Sequence, residues 1–241
     1  MKVIITNDYD EMSKTAFKFI KNEITDNPEA VLGLATGSTP IGLYEYMVRD
    51  YRENGTSYAR ITTVNLDEYE GLSPQNEQSY AFFMDKHLFG QIDIDRKNTF
   101  LPDGTAENSK EECRRYNSLL KEHVPDVQIL GIGSNGHIGF NEPGTDFESV
   151  THLVQLTQNT IKDNSRLFDD ISQVPRRAYS MGIKNILSAK KIIVMASGAN
   201  KAKAVYEMVN GKISADCPAT ALRNHSDVTV IVDAAAGKLL K

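Results

Sequence analysis

The amino-acid sequence predicts an α/β fold: a doubly wound, mostly parallel sheet with helices on both faces, Rossmann-like in plan. Two observations carry that expectation. Short apolar runs rich in Val, Ile and Leu recur along the chain without polar–apolar alternation, the pattern of strands buried on both faces. Amphipathic segments with helical spacing separate them, and strands that alternate with helices imply parallel pairing.

The first run is Val3–Ile5. Asp8-x-x-Glu11 then resembles a capping box, and Met12, Ala16, Phe19, Ile20 and Ile24 follow at helical spacing. Val31–Ala35 is the second run. Thr39-Pro40 reads as N-cap and first helical residue, Ile41, Tyr44, Met47, Val48 and Tyr51 share one face, and Asn54-Gly55 is the stop. Ile61–Leu66, Val127–Ile132, Ile192–Ala196 and Val228–Val232 complete the strands. Residues 107–123 and 200–209 read as further helices, the last ending near Gly211. No low-complexity tract, Pro/Gly-rich linker or like-charge block interrupts the chain, so residues 1–241 are expected to form one domain.

Composition narrows the function. The 241 residues are 40% hydrophobic and 24% charged, ordinary for a globular chain and unlike a disordered one. A chain of this length buries roughly 70–75% of the surface its unfolded form exposes, so no disulfide or structural metal is needed. Lys+Arg 27 against Asp+Glu 32 gives a net charge of −5 with no basic stripe, which argues against nucleic acid and anionic membrane as partners. Cys113 and Cys217 make no disulfide framework, and neither has a second Cys or a His at metal-ligand spacing, which fits a reducing compartment. The N-terminal residues lack the apolar core of a signal peptide, and no run approaches the ~18 residues of a membrane span. A cytoplasmic protein is expected.

Doubly wound sheets bind ligands beyond the carboxyl ends of their strands. After Val31–Ala35 comes Thr36-Gly37-Ser38-Thr39-Pro40, a small hydroxyl-rich turn into a helix. Gly37 permits close approach or a positive φ, and the helix-start N–H groups with the Ser38 and Thr39 hydroxyls suit an anion. A capped turn without a ligand would use the same residues. After Ile192–Ala196 comes Ser197-Gly198-Ala199-Asn200-Lys201, a similar turn with a lysine in the first helical turn. Lysine there opposes the helix dipole, which a bound anion would offset; a solvated lysine is the plainer reading. Two such turns in one sheet point to a phosphate-bearing ligand.

After Ile61–Leu66 comes Asp67-Glu68-Tyr69. Adjacent acids on a continuing strand face opposite ways, so one of them would face the crevice, where a carboxylate can act as a general base. A helix N-cap or surface acid is the alternative. After Val127–Ile132 runs Gly133-Ser134-Asn135-Gly136-His137-Ile138-Gly139-Phe140-Asn141-Glu142-Pro143-Gly144. Gly131, Gly133 and Gly136 match G-x-G-x-x-G, but Gly139, Pro143 and Gly144 forbid the helix that a dinucleotide fingerprint opens. The acid expected about 20 residues on is also missing, the chain reading Val154-Gln155-Leu156 there. The segment is a Gly-rich loop in which His137 beside Glu142 could shuttle protons near neutral pH.

Taken together, Leu66-Asp67-Glu68-Tyr69, the Gly-His-Ile-Gly-Phe-Asn-Glu-Pro block at 136–143 and Thr36-Gly37-Ser38-Thr39-Pro40 resemble the glucosamine-6-phosphate deaminases. The likeness is colinear from the first strand to Val228–Val232. The wider superfamily, with 6-phosphogluconolactonases and the sensor domains of some repressors, shares the Thr-Gly-Ser-Thr-Pro turn. The resemblance implies conversion of glucosamine 6-phosphate and water to fructose 6-phosphate and ammonia, with no metal or organic cofactor. It implies that His137 shuttles the ring-opening proton, with Glu142 and Asn135 as its neighbours, and that Asp67 moves a proton from C2 to C1. It implies that Gly37, Ser38, Thr39, Arg166 and Lys201 hold the phosphate. Many members carry Asp where this chain has Asn135, which can accept a hydrogen bond but holds no charge. The stretch after the loop, His152-Leu153-Val154-Gln155, lacks the basic and hydroxyl residues with which hexameric members bind an activator, so a monomer or small homo-oligomer without activation is expected. Two alternatives stand beside the deaminase. One is a 6-phosphogluconolactonase, whose family has a different loop after Gly-His. The other is a non-catalytic sugar-phosphate sensor, which would follow a DNA-binding segment, whereas the first strand here begins near residue 2.

Overall fold

A computed structural model of the chain describes residues 1–156, 170 and 174–240. The expected strands form as β1 (Lys2–Thr6), β2 (Val31–Leu34), β3 (Thr62–Asn65), β6 (Val127–Leu130), β9 (Lys191–Ala196) and β10 (Val228–Asp233). With the two-residue β5 (Thr99–Phe100) they make a seven-stranded sheet of order β1-β10-β9-β6-β2-β3-β5, parallel at every pairing.

Side chains of each buried strand alternate between two apolar layers. Ile193, Met195 and Ile231 pack with Met12, Ala16 and Ile20 of α1 (Tyr9–Asp26), with Leu43, Tyr44 and Met47 of α2 (Ile41–Asn54) and with Met84 of α3 (Tyr80–His87). On the opposite face Val194, Val230 and Val232 pack with Tyr116 and Leu120 of α4 (Ser109–Glu122), with Ile186 of α5 (Ile183–Leu187) and with Val205 and Met208 of α6 (Ala202–Asn210). The doubly wound architecture expected from the sequence is the one observed.

The helix ends explain themselves locally. Asp8 caps α1 by accepting the Glu11 N–H at 2.8 Å, while the Glu11 carboxylate reaches back to the N–H of Asn7 at 2.8 Å, one residue beyond a strict capping box. Gly55 closes α2 at φ 68°. The start of α2 corrects the sequence reading. Pro40 (φ −84°), not Thr39, is the N-cap, and no side chain caps that end. The helix therefore begins one residue later, and the Ser38 and Thr39 hydroxyls are left out of its hydrogen bonding.

A second sheet was not anticipated. It has order β4-β8-β7, with β4 (Asp67–Tyr69) and β7 (His152–Gln155) each antiparallel to β8 (Arg177–Ser180). The chain passes from β3 to β4 at Leu66, whose N–H bonds Leu34 O in the large sheet while its C=O accepts from Met181 N beside the small one. Asp67 thus stands at the joint between the two sheets. Among the described residues, no helix is long and apolar enough to cross a membrane.

Candidate active site

The carboxyl ends of β2, β3, β6 and β9 converge on a cavity of about 340 Å³ lined by Thr36–Thr39, Asp67, Tyr80, Gly131–Gly133, His137, Gly139, Phe140 and Lys201. Each of the loops singled out from the sequence reaches it.

One end is built for an anion. Gly37 (φ 88°) and Gly198 (φ 96°) both adopt the left-handed conformation that glycine takes without strain, and so turn their loops sharply at the strand ends. The first turn is held from below. Tyr9 Oη lies 2.9 Å from Ser38 O and accepts the Gly42 N–H at 2.8 Å, and Tyr44 Oη donates to Ala35 O at 2.5 Å. Asp233, at the end of β10, holds the second by accepting from Ser197 Oγ (2.6 Å) and Gly198 N (2.9 Å). Lys201 lies in the short 3₁₀ turn Ala199–Lys201 just before α6. Burial pushes its ammonium below the usual lysine range, and no carboxylate among the described residues pairs with it. A half-buried cation with no counter-ion among the described residues, sharing the cavity with the hydroxyl-bearing Thr36–Thr39 turn, suits a phosphate.

The other end is built for proton transfer. Asp67 is 7% exposed. Burial, reinforced by the charge of Glu68, pushes its carboxyl up to about 8. Glu68 points away from the cavity, as strand alternation requires. Its carboxylate accepts the N–H groups of Tyr69 (2.8 Å), Tyr80 (3.0 Å) and Ala81 (2.9 Å) at the start of α3. His137 comes from the loop after β6. Its Nδ1 lies 3.3 Å from Glu142 Oε1, an ion-pair distance reached off the line of a hydrogen bond, and Nδ1 has no other partner among the described residues. Glu142 is held below the usual carboxylate range, chiefly by that ring against the effect of burial, with the Asn135 amide adding to it.

Asn135 and Glu142 are not on the cavity wall; they back His137. Asn135 Nδ2 donates to Glu142 Oε2 at 2.6 Å, while its Oδ1 accepts the backbone N–H of His137 at 3.2 Å rather than the ring. Asn135 therefore reaches the imidazole only through Glu142. Arg166 lies outside the described residues.

The loop needs its glycines to let these groups approach. A Cβ on Gly133 would stand 2.4 Å from Nδ1 and Cε1 of His137. Gly133→Ala is expected to displace the imidazole and lower kcat about tenfold or more with little change in KM, read by steady-state kinetics. The loop is also fastened to the small sheet. Phe140 N–H donates to Ser180 Oγ at 3.1 Å, and Asn141 Nδ2 donates to Ile138 O and Met181 O at 2.8 Å each. Ser180 in turn pairs with Asp67 across β4 and β8. Asp67, the imidazole loop and the sheet joint form one connected unit.

The sequence profile of the glucosamine-6-phosphate isomerases and 6-phosphogluconolactonases matches residues 7–231, nearly the whole chain. The chain belongs to this family. Among relatives of the isomerase/lactonase family, a glucosamine-6-phosphate deaminase of Clostridium perfringens (strain 13 / Type A) is 51% identical over the full length of both chains. Another, of Thermoanaerobacter sp. (strain X514), is 48% identical over all of this chain and 95% of its own. A solved structure of a monomeric glucosamine-6-phosphate deaminase is 48% identical and superposes with a TM-score of 0.96, covering 99% of this chain and 100% of its own. The 6-phosphogluconolactonase of Trypanosoma brucei, at 18% identity, covers 100% of this chain and 98% of its own with a TM-score of 0.79, and shares the fold.

Sequence reasoning missed four participants in the site. Tyr80 and Phe140 stack at 6.3 Å with planes 9° apart and wall the cavity. Tyr9 and Asp233 hold the anion turns. Asp233 had a usable signal, being an acid directly after an apolar strand like Asp67. Tyr9 had none, because its hydroxyl acts about 30 residues along the chain.

Proposed function

We propose that the chain is an enzyme that converts glucosamine 6-phosphate and water to fructose 6-phosphate and ammonia. The observation that supports this best is one cavity with a buried carboxyl and a carboxylate-backed imidazole at one end and, at the other, the hydroxyl-bearing Thr36–Thr39 turn with a lysine with which no carboxylate among the described residues pairs. Relatives of about half identity over the full chain carry the deaminase name.

The phosphate is anchored by the Gly37–Thr39 turn and Lys201, with Arg166 as a further cation. His137 moves a proton from the O1 hydroxyl to the ring oxygen, which opens the pyranose. Glu142 offsets the positive charge that this shuttle places on the imidazole, and Asn135 fixes Glu142. Asp67 takes the proton from C2 of the open-chain sugar and delivers one to C1. The enolamine becomes a ketimine; water adds at C2 and ammonia leaves, so the nitrogen is replaced by oxygen and the redox state of the sugar is redistributed between C1 and C2. Each positioned acid–base group of this kind contributes about 10²–10⁴-fold. No step is routed through a metal or organic cofactor. The chain works in the cytoplasm, and as a monomer, like the solved deaminase it resembles.

The direct test follows ammonia and fructose 6-phosphate together from glucosamine 6-phosphate. Equal amounts of both support the proposal. Hydrolysis of 6-phosphogluconolactone with no ammonia from the amino sugar would turn it toward the lactonase. Thermal protection by the sugar phosphate with no product would turn it toward a sensor.

The pH dependence follows from Asp67. A base must be ionised, and this carboxyl is pushed up to about 8 in the free protein. The profile of kcat/KM is expected to rise with pH to a limb near 8. A substrate ammonium bound beside Asp67 favours its charged form, so the limb in kcat is expected at lower pH. Steady-state kinetics from pH 6 to 9.5 would check both.

A further inference from the structure

We propose that Glu68 is a positioning residue of the proton-transfer step, locking Asp67 and the Tyr80 wall into one unit and keeping a second negative charge beside the base. The geometry is specific. Glu68 is 2% exposed, yet it does not face the cavity. Its two oxygens take three backbone N–H groups, one from β4 itself and two from the first turn of α3. The helix that carries Tyr80 is thereby tied to the strand that carries Asp67, across 12 residues of chain. The loop behind comes close: a Cβ on Gly104 would meet Tyr69 O and Leu72 O at 2.5 Å and Glu68 Cγ at 3.4 Å.

The electrostatic half of the proposal rests on what surrounds the pair. On β4 itself stand Asp67 and Tyr69. From α3 comes Tyr80, from α2 Tyr44 and from α4 Tyr116, all phenols raised by burial and by the carboxylates near them. Tyr179 lies opposite Glu68 in β8. His137 and Lys201 line the cavity that Asp67 faces. No salt bridge to Asp67 or Glu68 occurs among the described residues. Burial pushes the Glu68 carboxyl up to about 7 and the three N–H groups oppose that rise, favouring its charge; Asp67 is raised by burial first and by the Glu68 charge second.

The inference rests on Asp67 as the base, and two variants at Glu68 test it separately from that reading. Glu68→Gln keeps the shape and the acceptor for Tyr69 and Tyr80 but removes the charge and the acceptor for the Ala81 N–H. The acid limb of kcat/KM is expected to move down by about one pH unit, with KM changed less than about threefold. Glu68→Asp keeps the charge but falls one methylene short of α3. There kcat is expected to drop about tenfold with the limb unmoved. A residue that only supported the fold would lower stability in both variants and shift neither profile. If Asp67→Asn is inactive while the Glu68→Gln profile superposes on that of the unaltered protein, the charge role is overturned. If Glu68→Asp keeps full kcat, the positioning role is overturned. If Asp67→Asn turns over normally, the base assignment itself fails, whatever Glu68 does.

Discussion

Asp67→Asn is expected to lower kcat by about 10³-fold or more while leaving sugar-phosphate binding within a few-fold, and to make the protein more stable at high pH. The first part follows from the role of the carboxylate. An amide has the same shape and no basicity, so the C2 proton has no acceptor, whereas the anion end of the cavity is untouched. The second part follows from burial. The folded-state carboxyl is raised from 3.8 to about 8, so it gives stability that is fully present below the unfolded value and is lost as pH rises through the folded one. Between pH 4 and 8 the unfolded chain releases a proton that the folded chain holds. At pH 9 the folded protein carries the full burden of a buried charge, and asparagine relieves it. Melting curves are expected to coincide near pH 4 and to separate by roughly 5 °C or more at pH 9 in favour of the variant. An equally active variant would show that this carboxyl is not the base; a variant destabilised at pH 9 would show that its charge is not strained by its site.

Lys201→Ala is expected to raise KM for the phosphorylated amino sugar about 100-fold, with a smaller effect on kcat. The ammonium is half-buried, has no carboxylate partner among the described residues and faces the Gly37–Thr39 turn across the cavity. Deleting one member of a desolvated charge pair typically costs 2–5 kcal/mol, and about 2.7 kcal/mol corresponds to 100-fold. The loss should shrink for glucosamine lacking the 6-phosphate, because the variant and the parent then bind it with the same contacts. Comparing kcat/KM for the two sugars in both proteins isolates the phosphate contribution. An unchanged KM for the phosphorylated sugar would remove Lys201 from the anion site.

The large sheet was readable because each of its longer strands is an apolar run flanked by turn residues, and burial on both faces demands that composition. The small sheet was not. Asp-Glu-Tyr, His-Leu-Val-Gln and Arg-Ala-Tyr-Ser are short and polar, and they are strands only because their backbone groups pair with one another. α3 escaped for a related reason, since half of what starts it is the Glu68 carboxylate arriving from β4. At the site, Asp67 and the His137 loop announced themselves by falling directly after strands. The Asn135 contact could not be read in detail, because whether its amide meets the imidazole ring or the Glu142 carboxylate depends on a loop conformation set by Gly133 and Gly136. Thr39 was misread as a cap because Thr-Pro at a helix start ordinarily is one, whereas here Pro40 takes that place.

The pairing of β1 with β10 also fixes the order in which the site can be completed. Lys2 is in register with Thr229, and Thr6 Oγ1 donates to Val232 O across 226 residues. A ribosome makes β1 before β10, so β1 must wait for all of the intervening chain before its partner exists. The same late strand carries Asp233, which clamps the Ser197–Gly198 turn beside Lys201. The Asp67–His137 end can assemble from segments made earlier. The turn beside Lys201 lacks its clamp until β10 has been made.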